Sequence, residues 1–312
     1  MKKSEKIFVA GHRGLVGSAI LRTLQAEGYA NLVTRTRAEL DLSDSRAVQQ
    51  FFAREKPDYV FLAAAKVGGI QANNTYPADF IYQNLIIQSN VINQSYAHRV
   101  KKLLFLGSSC IYPKLAPQPL KEKSFMTGPL EPTNESYAIA KIAGISMCQS
   151  YNRQYGTNFI SAMPTNLYGP YDNFDLENSH VLPALIRKFH DAKQTRADEV
   201  ILWGSGKPKR EFLHVNDLAR ACLFLMENYN DSEIINIGTG EDLSISELAE
   251  KIKNVVGYGG KIIWDPSKPD GTPRKLLDVS KINKLGWGPK ITLGDGLAET
   301  YQWYHENLLH QS

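Results

Sequence analysis

Tyr137 and Lys141 stand four residues apart in YAIAK, so a helix there puts them on one face. A phenol with an ordinary pKa of about 10 is a weak acid–base catalyst at neutral pH, and a nearby ammonium stabilises its phenolate and lowers that value. Upstream, the apolar run KLLFLG at 102–107 ends in Ser108-Ser109-Cys110, where the Ser108 hydroxyl can orient a substrate oxygen. Such a trio would polarise a carbonyl, or take up the proton of an alkoxide, beside a bound nicotinamide. Tyr and Lys at this spacing also arise by chance on solvated helices, so the neighbouring motifs decide what they mean.

The neighbour that matters is GHRGLVG at 11–17, with Gly11, Gly14 and Gly17 spaced G-x-x-G-x-x-G between a short apolar run and the helical stretch Ser18 to Glu27. Glycines placed there allow a tight turn and let backbone N–H groups at a helix start approach a pyrophosphate. A NAD-type site puts an Asp or Glu about 20 residues further on to bind the ribose hydroxyls. This chain instead reads Thr34-Arg35-Thr36-Arg37, and two guanidiniums favour the 2′-phosphate of NADP, with Arg13 as a third contact. Asp41, in ELDLSD, fits a turn cap near the adenine better than a ribose ligand.

Those residues need a scaffold, and its pattern is visible. Runs at 7–11, 31–34, 59–64, 102–107 and 158–163 are continuously apolar and alternate with segments of helical period. Strands buried on both faces and joined by helical crossovers give an α/β fold, a doubly wound parallel sheet. The expected division is a Rossmann-type dinucleotide domain over 1–170, with 211–242 returning to it, and a smaller C-terminal α/β substrate lobe built from 171–210 and 243–312. Gly and Pro clusters at 204–211 and 267–275 mark loops of that lobe. Between Pro77 and Arg99, apolar Phe80, Ile81, Leu85, Ile87, Val91 and Ile92 exceed what one helix face needs and imply a second buried surface.

Composition excludes other classes. The 312 residues carry 36 basic and 32 acidic side chains, a net charge of +4 with no basic tract, so neither nucleic acid nor an anionic membrane is an expected partner. Any anion must be bound locally. Cys110, Cys148 and Cys222 are too few and too far apart for a disulfide framework or zinc site, so no metal is expected. A reducing, cytoplasmic setting follows from that cysteine usage. No run approaches the ~18 apolar residues of a membrane span.

GHRGLVG, the Ser108 strand end and YAIAK together resemble the extended short-chain dehydrogenase/reductases. PTNLYGP at 164–170, REFLHVNDLA at 210–219 and NIGTG at 236–240 are similar to the nucleotide-sugar branch of that family. Within the branch, 63–84, LGSSCIYPK at 106–114, EPTNESYAIAKIAG at 131–144 and KPDGTPRKLLD at 268–278 resemble the epimerase/reductases that form GDP-L-fucose. The likeness runs from Lys6 to about Tyr304.

That resemblance implies an NADPH-dependent bifunctional enzyme acting on GDP-4-keto-6-deoxy-D-mannose, inverting C3 and C5 and reducing the C4 ketone. Ser108, Tyr137 and Lys141 would be its catalytic trio, and Cys110 and His180 the acid–base pair for epimerisation. Cys110 lies two residues past Ser108, so an extended chain would point both to one side, and His180 can titrate near neutrality. Cofactor contacts would run through Gly11, His12, Arg13, Gly14, Leu15, Val16 and Gly17; Arg35, Arg37, Asp41 and Leu42; and Leu106, Gly107, Ser108 and Ser109. They would end with Pro164, Thr165, Asn166 and Leu167, sharing Tyr137, Lys141 and His180 with the chemistry. Arg210 would pair the substrate diphosphate, Asp270 would accept bonds from the nucleotide, and Lys188 and Trp203 would line the pocket. The family's homodimer packs the 77–99 and 137–155 helices against their copies, and the same pairing is expected here.

Three competing readings are open at this stage. One is a reductase, or single-centre epimerase/reductase, of another GDP-4-keto sugar such as a deoxyheptose or dideoxy sugar; Cys110 and His180 argue against it. Another is an isomerase with tightly held NAD, disfavoured by Arg35 and Arg37. The third is an NADP-sensing regulator without activity, disfavoured because Ser108, Tyr137 and Lys141 are all present.

Overall fold

A computed structural model describes residues 1–176, 178–268 and 270–308. In chain order the first half comprises β1 (Ile7–Ala10), α1 (Leu15–Ala26), β2 (Leu32–Val33), α2 (Ser45–Glu55), β3 (Tyr59–Leu62), α3 (Ile70–Thr75), α4 (Pro77–Ala97), β4 (Lys102–Leu106), α5 (Glu135–Tyr155) and β5 (Phe159–Pro164). There follow β6 (Asn166–Tyr168), α6 (Val181–Thr195), β7 (Glu199–Trp203), β8 (Lys209–Arg210), β9 (Phe212–His214), α7 (Val215–Asn228) and β10 (Ile235–Ile237). The chain closes with β11 (Leu243–Ser244), α8 (Ile245–Val256), β12 (Lys261–Asp265), β13 (Arg274–Lys275), α9 (Ser280–Lys284) and α10 (Leu293–Leu308).

The central sheet has six strands in the order β10-β5-β4-β3-β1-β2, all parallel. Every residue of β1, β4 and β5 is buried, as continuous apolar runs require when helices cover both faces. The strand order reverses at β1, which has β2 on one side and β3 on the other. Such a switch point leaves a crevice beyond the carboxyl ends of the strands, the usual ligand position in open α/β sheets. The glycine turn follows β1 there, and the Ser108 segment follows β4.

Helix boundaries have local causes. Asp44 caps α2 by accepting from the N–H groups of Arg46 and Ala47 at 2.9 and 3.0 Å. Ser244 and Glu247 form a reciprocal capping box on α8, and Gly156 and Gly257 end α5 and α8 at φ +67° and +72°.

Two apolar cores form. The first surrounds the large sheet; the second gathers Phe174, Leu185, Phe189, Leu202, Leu248, Ile252 and Tyr304 between α6, α8, α10 and β7. β10 joins the large sheet and α7 packs on α1, whereas Phe212 of β9 is buried in the second core. One boundary needs correcting: Leu277, Val279, Ile282 and Trp287, expected in the second lobe, are buried in the first core. Their anchor is Glu211, whose carboxylate accepts from the Leu277 N–H and so ties the strand end to β8 and β9. The smaller lobe uses short pairings: parallel β12 on β7, and the sheet β11-β8-β13. Among the described residues, no helix is long and apolar enough to cross a membrane.

Candidate active site

At the switch point, Gly11 has φ +86°, and a Cβ on it would come within 2.8 Å of the Ala64 amide nitrogen. The Gly14 N–H donates to the Gly11 carbonyl at 3.0 Å, closing the turn that starts α1. A Cβ on Gly17 would lie 2.1 Å from that same carbonyl oxygen, so glycine there lets the first helical turn sit directly on the loop. Gly14 differs, because a Cβ on it would meet nothing closer than 3.6 Å. Its open side faces outward at the helix start, the approach an anion needs. His12, Arg13, Ser18 and Arg22 line a cavity of about 440 Å³ beside this turn, and the His12 Nδ1 is buried with no hydrogen-bond partner among the described residues. The cradle and its cations therefore fit a dinucleotide phosphate.

Gly17→Ala tests the packing part of this account. The substitution is expected to cost about 1–3 kcal/mol, the usual range for overpacking, and to raise the Kd for NADPH. Thermal unfolding with and without NADPH checks both, and an unchanged Tm and Kd would remove the close-approach argument.

The two arginines after β2 behave differently. Arg35 donates to Glu55 Oε1 and to the Thr34 carbonyl, both at 2.7 Å, so protein groups hold its guanidinium in place. Glu55, at the end of α2, outcompetes a surface role for it. Arg37 is 79% exposed at its side chain and, among the described residues, pairs with Asp41 at 3.7 Å. Asp41 itself accepts from the Ser43 N–H and hydroxyl at 2.9 and 2.6 Å, which makes it a turn cap. Leu42 packs partly buried against the first core.

The carbonyl-directed trio converges beyond β4. Lys141 is buried on α5 and donates to the Leu106 carbonyl at 2.8 Å, with its ammonium 5.7 Å from the Tyr137 ring centroid. Phe80 holds that ring edge-on from α4 at 6.2 Å between centroids. A Cβ on Gly107 would strike Met163, so the strand end packs tightly before Ser108. The expected lowering of the phenol pKa is not what the protein groups alone produce. Burial pushes Tyr137 well above its ordinary value and Lys141 down to about 8. The ammonium points at a carbonyl, and loss of solvation outweighs it.

Cys110 reaches the same place by an unexpected route. The chain leaves Ser108 in extended geometry but then forms a single 3-10 turn, Ser109–Ile111, so Ser108 and Cys110 do not share a side by strand alternation. The turn does the work instead, and the Cys110 N–H donates to Ser108 Oγ at 3.4 Å. Burial pushes the thiol up, opposed first by Lys275, then by Ser108 and Lys141. His180 caps α6 with no side-chain hydrogen bond to the helix. It is solvent-accessible on a wall dense with protein, and loss of solvation pulls its imidazole below the ordinary value, with the Lys275 ammonium adding to the effect.

In the second lobe Asp270 accepts from the Ser205 N–H and hydroxyl, both at 2.7 Å, and thereby fixes the 204–208 loop. Trp203 is 53% exposed, so it is not core packing. Lys188 and Lys268 each lie 5.5 Å from its ring centroid. Arg210 is half-buried, and burial lowers its pKa against Asp270 and Glu131. Pro164 ends β5, the Thr165 N–H donates to the Ile237 carbonyl at 3.0 Å, and Asn166 Nδ2 donates to the Glu211 carbonyl at 2.8 Å. Leu167 pairs with Leu213 across β6 and β9.

Sequence reasoning missed three site residues. Lys275 faces Cys110 across the lobes. Glu131 binds Lys114 at 3.0 Å and accepts from Thr272 at 3.2 Å, joining the loop before α5 to the loop before β13. Glu211 is fully buried and accepts from three backbone N–H groups. The one available signal was a charged residue inside an apolar run, Glu211 in REFLHV.

A family model described as the NAD dependent epimerase/dehydratase family matches residues 7–238. The chain is 64% identical over 309 residues to GDP-L-fucose synthase 1 of Arabidopsis thaliana, covering 99% of this chain and 96% of that one. It is 60% identical over 312 residues to GDP-L-fucose synthase of Escherichia coli (strain K12), covering 97% of each. A crystal structure of a GDP-L-fucose synthetase from Naegleria fowleri bound to NADP superposes with a TM-score of 0.92 at 31% identity, covering 99% and 96% of the two chains.

Proposed function

We propose that this chain, which belongs to the NAD dependent epimerase/dehydratase family, converts GDP-4-keto-6-deoxy-D-mannose to GDP-L-fucose by C3 and C5 epimerisation and NADPH-dependent C4 reduction. The observation that carries the reading is the gathering of Ser108, Tyr137 and Lys141 around Cys110 beyond the end of β4. C3 and C5 both flank the C4 ketone, which acidifies their protons, so one oxyanion site serves epimerisation and reduction alike.

Tyr137 and Ser108 hold the C4 oxygen while charge develops on it. Ser108 Oγ accepts from the Cys110 N–H and keeps its own proton to donate. Cys110 on one face of the sugar and His180 on the other exchange protons with C3 and C5, and Tyr137 delivers a proton to the C4 oxygen in the reductive step. Bound NADPH supplies the hydride; Gly11 to Gly17, Arg13 and Arg37 would hold its phosphates. Arg210 would pair the diphosphate of the sugar nucleotide, with Trp203 and Lys188 beside the guanine.

A homodimer through α4 and α5 accounts for the side chains those helices leave outside. Tyr82 and Tyr155 are exposed, and Tyr96 stacks on Tyr155 at 4.2 Å between centroids. A cytoplasmic setting suits Cys110, Cys148 and Cys222, all unpaired and buried.

Incubation with GDP-4-keto-6-deoxy-D-mannose and NADPH in deuterated water tests the reading. Deuterium at both C3 and C5 with stoichiometric NADPH oxidation is the expected result. NADPH oxidation without label at C3 would overturn it in favour of a C4 reductase of another GDP-4-keto sugar.

A further inference from the structure

Lys275 belongs to β13, which runs parallel to β8 with Lys275 directly opposite Arg210. Cross-strand partners share a face of a sheet, so the two cations stand on the same side. Across from β13, one narrow recess is lined by Ser109, Cys110, Glu131 and Lys275 together. The other cations nearby are committed. Lys114 binds Glu131 at 3.0 Å, Arg274 binds Asp242 at 2.5 Å, and Lys141 donates to the Leu106 carbonyl at 2.8 Å. Among the described residues, the Lys275 ammonium has no hydrogen-bond or ion-pair partner, although it is half-buried. A cation drawn out of water without a partner is retained only at a cost; with the Glu131 carboxylate of the same recess bound to Lys114, the anionic form of Cys110 is the partner left to it.

Resting on the epimerase/reductase reading above, we propose that Lys275 is a positioning residue for epimerisation, a cation from the second lobe that holds the Cys110 sulfur as the thiolate. The groups facing Cys110 are Lys275 from β13, Lys141 and Tyr137 from α5, and Ser108 from its own turn; those facing Lys275 are Cys110, Arg210, Glu131 and His180, the residue that caps α6. Of the influences that favour the thiolate, Lys275 is the largest. The step balances without an added reactant. The C3–H or C5–H bond breaks, its electron pair passes into the enolate held at the C4 oxygen, and the proton forms S–H on Cys110. A proton from His180 then closes the opposite face of the same carbon, and proton exchange with water resets both side chains. The Lys275 proton does not move. The same ammonium lowers the His180 imidazole further, so the imidazolium that donates is a stronger acid but a smaller population at neutral pH.

Thiolate absorbance in a pH titration reads this directly. Cys148 and Cys222 are fully buried, with burial pushing Cys148 up to about 12 and Cys222 higher, so they are silent near neutrality, and Cys110→Ser supplies the blank. Lys275→Met is expected to move the Cys110 transition to higher pH. At neutral pH it should slow deuterium uptake at C3 about tenfold or more, since each pKa unit is a factor of ten in thiolate. Reduction of the already epimerised ketone should change far less, and Lys275→Arg should restore both the titration and the exchange. An unmoved titration in Lys275→Met, equal loss of exchange and reduction, or failure of Arg to rescue would each overturn the proposal. The two readings fail separately: absence of C3 and C5 label in the unmodified protein would sink the function, whereas the thiolate titration still reports on Lys275. A Tm within 2 °C or so of the unmodified protein, on the order of 1 kcal/mol or less, shows that Lys275→Met folds.

Discussion

Tyr137→Phe lowers the rate of C4 reduction by about 10²–10⁴-fold, the range that a positioned proton donor contributes. Phenylalanine keeps the ring that packs edge-on against Phe80 and over which Lys141 lies, so the helix face and the cleft wall are preserved. What is lost is the proton that meets the C4 oxygen. The Kd for NADPH should therefore hold within a factor of a few while kcat collapses, a split that isothermal titration and NADPH absorbance together resolve. C3 and C5 exchange should fall by less, because Ser108 still donates to the oxyanion. A variant retaining more than a tenth of the reductive rate would show that another group supplies the proton. The pH profile carries the same logic. Lys141 is held down to about 8, so the ammonium that supports Tyr137 is present below that pH and lost as pH rises through it. Reductive kcat should fall on the alkaline side of about 8, and Lys141→Met should remove that limb together with most of the rate.

Much of the first domain was legible because its signals are local. Continuously apolar runs mark strands buried on both faces, glycine spacing marks a turn under a helix start, and an i,i+4 pair needs only a helix to meet. Each of these depends on neighbours within one element. The Arg35 ion pair was hidden for the opposite reason: its partner Glu55 lies on a different helix, and no local feature separates a paired guanidinium from an unpaired one. The same-side geometry expected of an extended Ser108 to Cys110 segment is absent because two backbone dihedrals decide whether alternation applies, and the chain turns at Ser109. Lys275 was invisible because β8 and β13 are two residues each, too short for any periodicity, and their pairing brings together segments far apart in sequence. In the second lobe the sequence marked loops, and only long-range pairing shows that Asp270 fixes one of them through Ser205. The cleft thus divides into groups carried on long regular elements, which pattern reveals, and groups delivered by short strands, which it does not.

Those short strands need an anchor, and Glu211 is the residue whose loss should cost most in stability. Its carboxylate accepts from the N–H groups of Thr239, Gly240 and Leu277 at 2.6, 2.8 and 2.9 Å, while its own carbonyl accepts from Thr165 and Asn166. One fully buried residue therefore pins the end of β5 through its carbonyl, and the loop after β10 and the segment that follows β13 through its carboxylate. Burial pushes its carboxyl up, and the N–H groups offset part of that. Glu211→Ala removes the acceptor of three backbone donors, the Leu277 N–H buried and those of Thr239 and Gly240 partly buried; a buried donor left without an acceptor costs about 1–3 kcal/mol. Partial relaxation and entry of water bring the expected loss to about 3–5 kcal/mol, a fall in Tm on the order of 10 °C. Glu211→Gln keeps the shape and one acceptor oxygen, which can still serve Thr239 and Gly240, but turns an amide N–H towards Leu277. It should cost about 1–3 kcal/mol. Because Leu277 lies two residues beyond Lys275 and Glu211 directly follows Arg210, the Gln variant should also slow C3 exchange more than its Tm alone explains. Calorimetry and deuterium uptake on the two variants separate the effects. Equal Tm values for Ala and Gln would show that the three N–H groups find other acceptors, and that β13 is placed by something other than Glu211.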